Sequence, residues 1–293
     1  MNNKRTLGHI AAFITILIWG TTFISTKILL NGFKPLEILF FRFVIGFAVL
    51  EIIYPKRFNV KEIRQEMTFA AAGLCGICLY YLLENIALTY TLASNVGVII
   101  SAAPLFTAIL AHIFVKGEER LSICFIFGFI TAMIGICLIG FNGKNLEVKP
   151  VGDILALIAA FVWACYSLLT KKISGYGYNT IQTTRIIFMY GIIFMLPLLF
   201  IFDFEWNFVR FINPVYFVNL LFLGLGASAL CFVTWNYAVK ILGAVKTSAY
   251  IYAVPVITIV TSVIVLNEKI RVMAIIGTAL TLIGLFISEG REK

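Results

Sequence analysis

Ten long apolar runs follow one another along the 293-residue chain, and their recurrence limits the fold more than any other feature. They occupy residues 7–26, 36–54, 67–90, 95–115, 122–141, 151–170, 180–202, 215–238, 246–266 and 272–288. A helix of about 20 apolar residues spans the hydrocarbon core of a bilayer. With 61% hydrophobic and 13% charged residues, the chain has more apolar surface than a water-soluble domain can bury. Because lipid-exposed backbone must satisfy its own hydrogen bonds, we predict an all-α integral membrane protein with ten transmembrane helices.

Lysine and arginine are distributed unevenly between the two ends of these runs. With the N-terminus placed inside, the inner segments contain 14 of these residues and the outer loops contain seven. Cytoplasmic loops carry the excess of Lys and Arg, so we predict a multi-pass protein of the cytoplasmic membrane with both termini in the cytoplasm. This bias explains the net charge of +9 without a nucleic-acid partner. The first run is too long for a signal peptide and lacks its cleavage pattern, so we expect it to remain as a membrane helix.

The two halves of the sequence resemble each other. The segment GHIAAFITILIWGTTFISTK, which starts at Gly8, aligns with GDILALIAAFVWACYSLLTK, which starts at Gly152. Further equivalent pairs, at shifts of 143 to 151 residues, are Trp19 and Trp163, Arg42 and Arg185, Asn85 and Asn236, and Pro104 and Pro255. We predict one five-helix repeat over residues 1–146 and a second over residues 147–293. Since five is odd, the second repeat enters the membrane from the opposite side, which is the inverted-repeat construction of many secondary transporters.

The ordered set of short motifs resembles one transporter family. It comprises WGTTFISTK and its echo WACYSLLTK, FFRF near the second helix, ENIALTYTLAS before SAAPLF, and the acidic turns GEERL and NEKI before glycine-rich helices. This set resembles the drug/metabolite transporter superfamily and, within it, the EamA-type ten-helix family. The resemblance covers essentially the whole chain. It implies a small-molecule carrier, often an exporter of amino acids or other metabolites, and does not imply one substrate. The alternative is a metabolite uptake carrier or exchanger of the same fold.

Two prolines lie near the centres of equivalent runs, Pro104 in the fourth and Pro255 in the ninth. Proline removes a helical hydrogen bond and kinks the helix. Interrupted helices at matched positions in the two halves indicate a midplane binding site, so we interpret these prolines as hinges or pocket walls. The alternative is ordinary packing, because proline is common in membrane helices.

Polar and aromatic side chains at a similar depth provide the candidate substrate-binding residues. They are Trp19, Tyr80, Glu84, Asn85, Ser101, Trp163, Tyr166 and Tyr252. Tryptophan usually lies at the membrane interface, so an indole at mid-bilayer indicates a ring-stacking, cation-binding or gating role. The small residues around Ser101 equally suit close helix packing. A cavity with many aromatic rings and little net charge suits a small amphiphilic metabolite, such as an apolar amino acid.

Glu84 is the one acid in the central part of the third run, and Arg42 lies at a similar depth in the second. A buried pair costs less than either charge alone, so we predict that the two side chains approach each other. The equivalent of Glu84 in the second half is Trp235, whereas the arginine persists as Arg185. Two interpretations remain open. The pair fixes the helix register, or Glu84 exchanges a proton or binds a substrate ammonium group during transport, which includes proton coupling.

The sequence argues against several other classes of protein. It contains no G-x-x-x-x-G-K-[ST] nucleotide-binding loop, and the spans lack a catalytic set, so we expect neither an enzyme nor a cofactor. Cys75 and Cys78 form a C-x-x-C without a second pair of metal ligands, so we expect no metal site. Glu119 and Glu268 are predicted to start the fifth and tenth helices. The glycines of those helices suit close contact, within the chain or between subunits, so the protein is a monomer or a homodimer.

Overall fold

The computed structural model describes residues 2–56, 60, 62–90, 93–115, 123–140, 150–266 and 272–289. Within these ranges helix is the only regular secondary structure, and it forms ten rods and one short 3-10 helix, Phe208–Ile212, between the seventh and eighth rods. The first half contains α1 (Asn2–Leu29), α2 (Pro35–Ile53), α3 (Ile63–Tyr90), α4 (Ala93–Ile100 with Ala103–Phe114) and α5 (Ile123–Gly140). The second half contains α6 (Pro150–Ser174), α7 (Thr180–Ile201), α8 (Pro214–Leu242), α9 (Ala244–Ala249, Tyr250–Ala253 and Val254–Leu266) and α10 (Val272–Glu289).

The predicted fold, ten transmembrane helices in two inverted five-helix repeats, is confirmed. Helices α1, α3, α6, α7 and α8 are long and apolar enough to cross a membrane. The predicted repeat boundary between residues 146 and 147 lies outside the described residues, as do Glu119 and Glu268. The starts of α7 and α8 follow from local sequence. The side chain of Asn179 accepts a hydrogen bond from the amide of Ile181, and Asn213 caps the next helix in the same way.

Equivalent helices of the two halves carry the same interruptions. In α3 the segment Leu74–Leu79 is π-helical, and in α8 the segment Phe222–Leu230 is π-helical. A π-segment widens the helix and frequently marks a functional site. In α3 it allows a close approach, because a Cβ at Gly76 would lie 2.5 Å from Cγ of Tyr166. The missing side chain thus makes room for the Tyr166 ring.

Helices α4 and α9 are both broken just before their central prolines. In α4 a turn at residues 101–102 precedes the segment that contains Pro104. In α9 the 3-10 segment Tyr250–Ala253 precedes the segment that contains Pro255. Each proline occupies the first turn of the new segment, where its missing N–H costs no hydrogen bond. The prolines therefore lie directly after the breaks, at the positions predicted for hinges.

Glycines bring α5 and α10 into backbone contact. A Cβ at Gly135 would lie 2.5 Å from the carbonyl oxygen of Gly277, and one at Gly284 would lie 2.6 Å from that of Gly128. These four residues are the equivalent glycines of the two repeats, and they meet crosswise. The glycine faces of α5 and α10 therefore pack against each other within one chain.

The face of the bundle where α1 ends is called the distal face here, and the opposite one the N-terminal face. On the distal face the first half is joined to the second by Glu37, a fully buried residue at the start of α2. Both carboxylate oxygens accept from the guanidinium of Arg210, at 2.7 and 3.2 Å. The same carboxylate accepts from the amides of Lys34 and Glu205 at 2.8 and 3.0 Å. Arg210 also lies 4.7 Å over the ring of Phe33, so this ion pair is bidentate and almost fully enclosed.

A second, exposed ion pair lies beside the first. Nζ of Lys34 lies 2.8 Å from a carboxylate oxygen of Glu205. The hydrogen bond to Glu205 raises the pKa of Lys34, and the same bond lowers the pKa of Glu205. Exposed pairs of this kind contribute little to stability.

On the N-terminal face the equivalent joint is built differently. Arg185 of α7 donates to the carbonyl oxygens of Tyr54 and Lys56 at 2.6 and 2.8 Å, and pairs with Glu51 at 3.0 Å. The phenol of Tyr178 donates to Gln65 at 2.7 Å. Backbone acceptors and neutral hydrogen bonds therefore take the place of the buried carboxylate used on the distal face.

Candidate functional site

Aromatic rings from both halves meet at the centre of the bundle. Trp19 and Trp163, which the repeat relates, contact each other edge to face with ring centroids 5.1 Å apart. Tyr80 packs on Trp163 at 4.8 Å, and Trp235 packs on Trp19 at 5.1 Å. Edge-to-face packing is a favoured arrangement for aromatic pairs. The two equivalent tryptophans thus lie where the repeats face each other.

The hydrogen bonding of these two indoles differs. The N–H of Trp19 donates to the carbonyl oxygen of Ala227 at 2.9 Å, on the π-helical segment of α8. The N–H of Trp163 is buried and has no acceptor among the described residues. A buried donor without a partner is costly. The site therefore has one fixed indole and one with an unused donor.

A small cavity lies against this cluster and is lined by both halves. Its walls include Trp19 of α1, Tyr80 and Glu84 of α3, Ile100 of α4 and Trp163 of α6. Ile251 and Val254 of α9 complete the wall from the second half. The cavity measures about 30 Å³, room for little more than a water molecule. The protein is therefore closed around its centre in this conformation.

Glu84 is the one residue with a charged side chain in this lining, and it is 3% exposed. The predicted direct pair with Arg42 is not formed, because no ion pair within 4.0 Å joins these two described residues. Arg42 instead donates from Nε to the hydroxyl of Ser228 at 3.0 Å and lies 4.3 Å over the ring of Tyr81. The aromatic face partly replaces the carboxylate as the partner of the guanidinium, and Nη2 of Arg42 stays buried without an acceptor among the described residues. Arg42 and the Tyr80 hydroxyl still act on Glu84 electrostatically.

Four of the eight predicted binding residues lie elsewhere than the cavity wall. Asn85 donates to the carbonyl oxygen of Pro35 at 3.1 Å, and Ser101 donates within its own helix to Gly97 at 2.8 Å. The phenol of Tyr166 donates to Oδ1 of Asn236 at 2.9 Å. Tyr252 is buried against Phe129 and has no hydroxyl partner among the described residues. All eight residues have a similar depth in the membrane, but the hydrogen bonds and packing of these four place them outside the cavity wall.

Other lining residues were missed by sequence reasoning. Thr22 and Phe23 follow Trp19 by three and four positions, so they lie on the same helix face. Tyr81 lines the cavity, and the guanidinium of Arg42 packs over its ring. Helical spacing from Trp19 was the available signal for the first two, whereas nothing in the sequence indicated that the guanidinium of Arg42 packs on Tyr81.

Replacing Tyr166 with phenylalanine is expected to lower stability by about 1–2 kcal/mol, because the buried oxygen of Asn236 loses its phenol donor. Nδ2 of Asn236 would keep its bond to Thr184. The melting temperature of the purified protein in detergent measures the effect. Tyr237→Phe is the matched control, because the partly exposed Tyr237 makes none of the hydrogen bonds seen in the described chain. Equal melting temperatures for the two variants would contradict the expectation.

A cleft and a narrow pocket lie in the second half, towards the N-terminal face. A cleft of about 380 Å³ lies between α7 and α8 and is lined by Thr180, Thr234, Tyr237 and Lys240, among others. A narrow pocket beside it reaches Asn236. On the distal face the buried pair of Glu37 and Arg210 joins the two halves.

Comparison with known proteins adds evidence from outside the chain. The model of the EamA-like transporter family matches residues 6–141 and again residues 150–289. An uncharacterized transporter of Archaeoglobus fulgidus is 30% identical, over 100% of this chain and 99% of that protein. A probable terminal-alkyne amino-acid exporter of Streptantibioticus cattleyicolor is 26% identical, over 96% and 93%.

A solved structure titled "Crystal structure of protein" has the same fold. It matches with a TM-score of 0.76 at 20% identity and covers 96% of this chain and 95% of its own. At this identity the likeness concerns the fold alone. The family match covers both halves. The two relatives, which are named as transporters, align with this chain along nearly their whole length. The chain therefore belongs to the EamA-like transporter family and is a multi-pass membrane transporter of a small molecule.

Proposed function

We propose that the protein is a secondary transporter that exports a small amphiphilic metabolite, such as an amino acid, across the cytoplasmic membrane by alternating access. The observation that carries the proposal is the central cavity, which two inverted repeats line with aromatic rings and a single carboxylate. Such a lining favours a ligand with an apolar body and one polar end. The relative named as an amino-acid exporter supports this class of substrate.

We propose export as the direction of transport, and the cleft on the N-terminal face supports this choice. The excess of Lys and Arg assigns the N-terminal face, and both termini, to the cytoplasm. In that orientation the cleft of about 380 Å³ opens to the cytoplasm, and the buried pair of Glu37 and Arg210 joins the two halves on the external side. We propose that a substrate loads from inside. The repeats 1–146 and 147–293 exchange their conformations when it is released outside.

The breaks in α4 and α9 give these repeats their hinges. Ile100 precedes one break, Ile251 lies in the other, and both line the cavity. Rotation about Pro104 or Pro255 therefore changes the cavity wall directly. Proton coupling, if it operates, passes through Glu84, because that residue is the acid in the lining.

Counterflow in proteoliposomes tests the proposal. Vesicles are preloaded with one unlabelled candidate from a set of amino acids, nucleosides and amines, and uptake of the same labelled compound is measured. We expect transient accumulation with an apolar amino acid or amine, and a different rate under an imposed pH gradient if protons are exchanged. Empty liposomes and protein with Trp163→Ala are the controls. Response to polar anions alone would reject the proposed substrate class, and response to no compound in the set would reject transport of that class.

A further inference from the structure

We propose that the group recognised by Glu84 is a protonated amine, so that the substrate is an organic ammonium compound with an apolar body. This inference rests on the proposed transport function and specifies its substrate class. It adds a charge requirement that the family match and the relatives do not supply.

The charges around the cavity favour a cation. Glu84 is the charged side chain of the lining, whereas the nearby Arg42 lies outside the lining and contacts Ser228 and the ring of Tyr81. A carboxylate buried in the membrane without an ion pair is costly. A ligand ammonium would supply the missing charge at the position where the predicted arginine does not reach. A ligand carboxylate would meet Glu84 with no lining cation to offset the repulsion.

The rings beside Glu84 also suit an ammonium group. Tyr80 and Trp163 pack at 4.8 Å, and Trp19 meets Trp163 at 5.1 Å, so the faces and edges of three rings border the same small space. A cation within about 6 Å of a ring face is attracted by the ring, most strongly by Trp, and more so when desolvated. The apolar body of the ligand is then in contact with Phe23, Ile100 and Ile251.

The unused donor of Trp163 is a further group of the lining that a ligand would satisfy, although Trp235 beside it, outside the lining, also has an unused donor. The N–H of Trp163 is buried, lacks an acceptor in the described part of the chain, and belongs to a residue of the lining. A neutral acceptor next to the amine, such as a carbonyl or hydroxyl oxygen, would satisfy it. The cavity must widen from about 30 Å³ to admit such a compound, and the adjacent breaks in α4 and α9 allow it.

The test compares four ligands with the same apolar body: 2-phenylethylamine, phenylalanine, 2-phenylethanol and 3-phenylpropanoate. Binding to the purified full-length protein in detergent is followed by calorimetry and by tryptophan fluorescence. We expect the amine to bind at least about tenfold more tightly than the alcohol, a difference of about 1.4 kcal/mol. Phenylalanine should fall between the amine and the acid, and the acid should bind most weakly.

Glu84→Gln should reduce the amine-to-alcohol ratio to near one, whereas Glu84→Asp should retain part of it. Glu62→Gln, at an exposed position before α3, is the matched control and should leave the ratio unchanged. If Glu84→Gln does not fold, the order of the four ligands on the wild-type protein still decides. Acid bound as tightly as amine, an unchanged ratio in Glu84→Gln, or no binding of the amine to the wild-type protein would each overturn the inference.

The ammonium-site proposal and the transport proposal can be rejected independently of each other. Amine binding that depends on Glu84, together with absent counterflow, would support the ammonium site and reject the transport proposal for these compounds. Counterflow of a neutral or acidic compound without amine binding would support transport and reject the ammonium site.

Discussion

Replacing Arg210 with alanine is expected to destabilise the protein by about 3 kcal/mol, because it leaves the carboxylate of Glu37 buried without its cation. Glu37 is fully buried, and its carboxylate accepts hydrogen bonds from both terminal nitrogens of the guanidinium. The amides of Lys34 and Glu205 would still donate to it, but neutral donors offset only part of the cost of a buried charge. Loss of the arginine also removes its donation to the carbonyl oxygen of Gly32 at 2.7 Å.

The neighbouring exposed pair provides the matched control. Glu205→Gln removes the ion pair with Lys34 but keeps the hydrogen bond from the backbone amide of residue 205 to Glu37. We therefore expect the free energy of unfolding to fall by less than about 1 kcal/mol. Melting temperatures in detergent and the yield of monodisperse protein measure both effects. The double variant Glu37→Leu with Arg210→Leu should be more stable than Arg210→Ala alone, because no unpaired charge remains. Equal stability of Arg210→Ala and Glu205→Gln would show that burial of Glu37 has no energetic weight.

The fold was predictable because it depends on two features that are visible in the sequence, the length of the apolar runs and the internal repeat. Apolar runs of membrane length fix the helices, and an odd number of helices per repeat fixes the inversion. The pairing of Trp19 with Trp163 at the interface of the repeats follows from the same symmetry. The breaks before Pro104 and Pro255 follow from the missing N–H of proline.

The site was less predictable because the sequence indicates how deep a residue lies in the membrane, but not which way its helix is rotated about its axis. Glu84 and Arg42 have similar depth, yet the structure places Arg42 over Tyr81. Tyr166 lies three positions after Trp163 and shares its helix face, but the gap at Gly76 draws its ring into a structural hydrogen bond with Asn236. Nothing in the sequence distinguishes Glu37 from the acids that are common in the first turn of a helix. Its importance depends on Arg210, which lies in a loop of the other half.

Gly284→Leu is expected to prevent α5 and α10 from packing and to abolish recovery of folded protein. A Cβ alone at Gly284 would lie 2.6 Å from the carbonyl oxygen of Gly128 and 2.8 Å from Cα of Ala132. These are backbone atoms, which cannot rotate aside as a side chain can. The helices must therefore separate, and the buried contact between Gly135 and Thr281 is lost with them.

The smaller substitution Gly284→Ala measures the same effect in a protein that still folds. Overpacking of this kind costs about 1–3 kcal/mol, so we expect a clear fall in melting temperature. Gly226→Ala is the control, because a Cβ there would meet side chains only, at 3.6 Å or more; alanine is also the better helix former by about 1 kcal/mol. If both variants melt alike, the close approach of α5 and α10 is not what holds them together. If only Gly284→Ala is destabilised, the crossed glycines determine how closely the two repeats meet, and the same contact limits how far α5 and α10 can slide during transport.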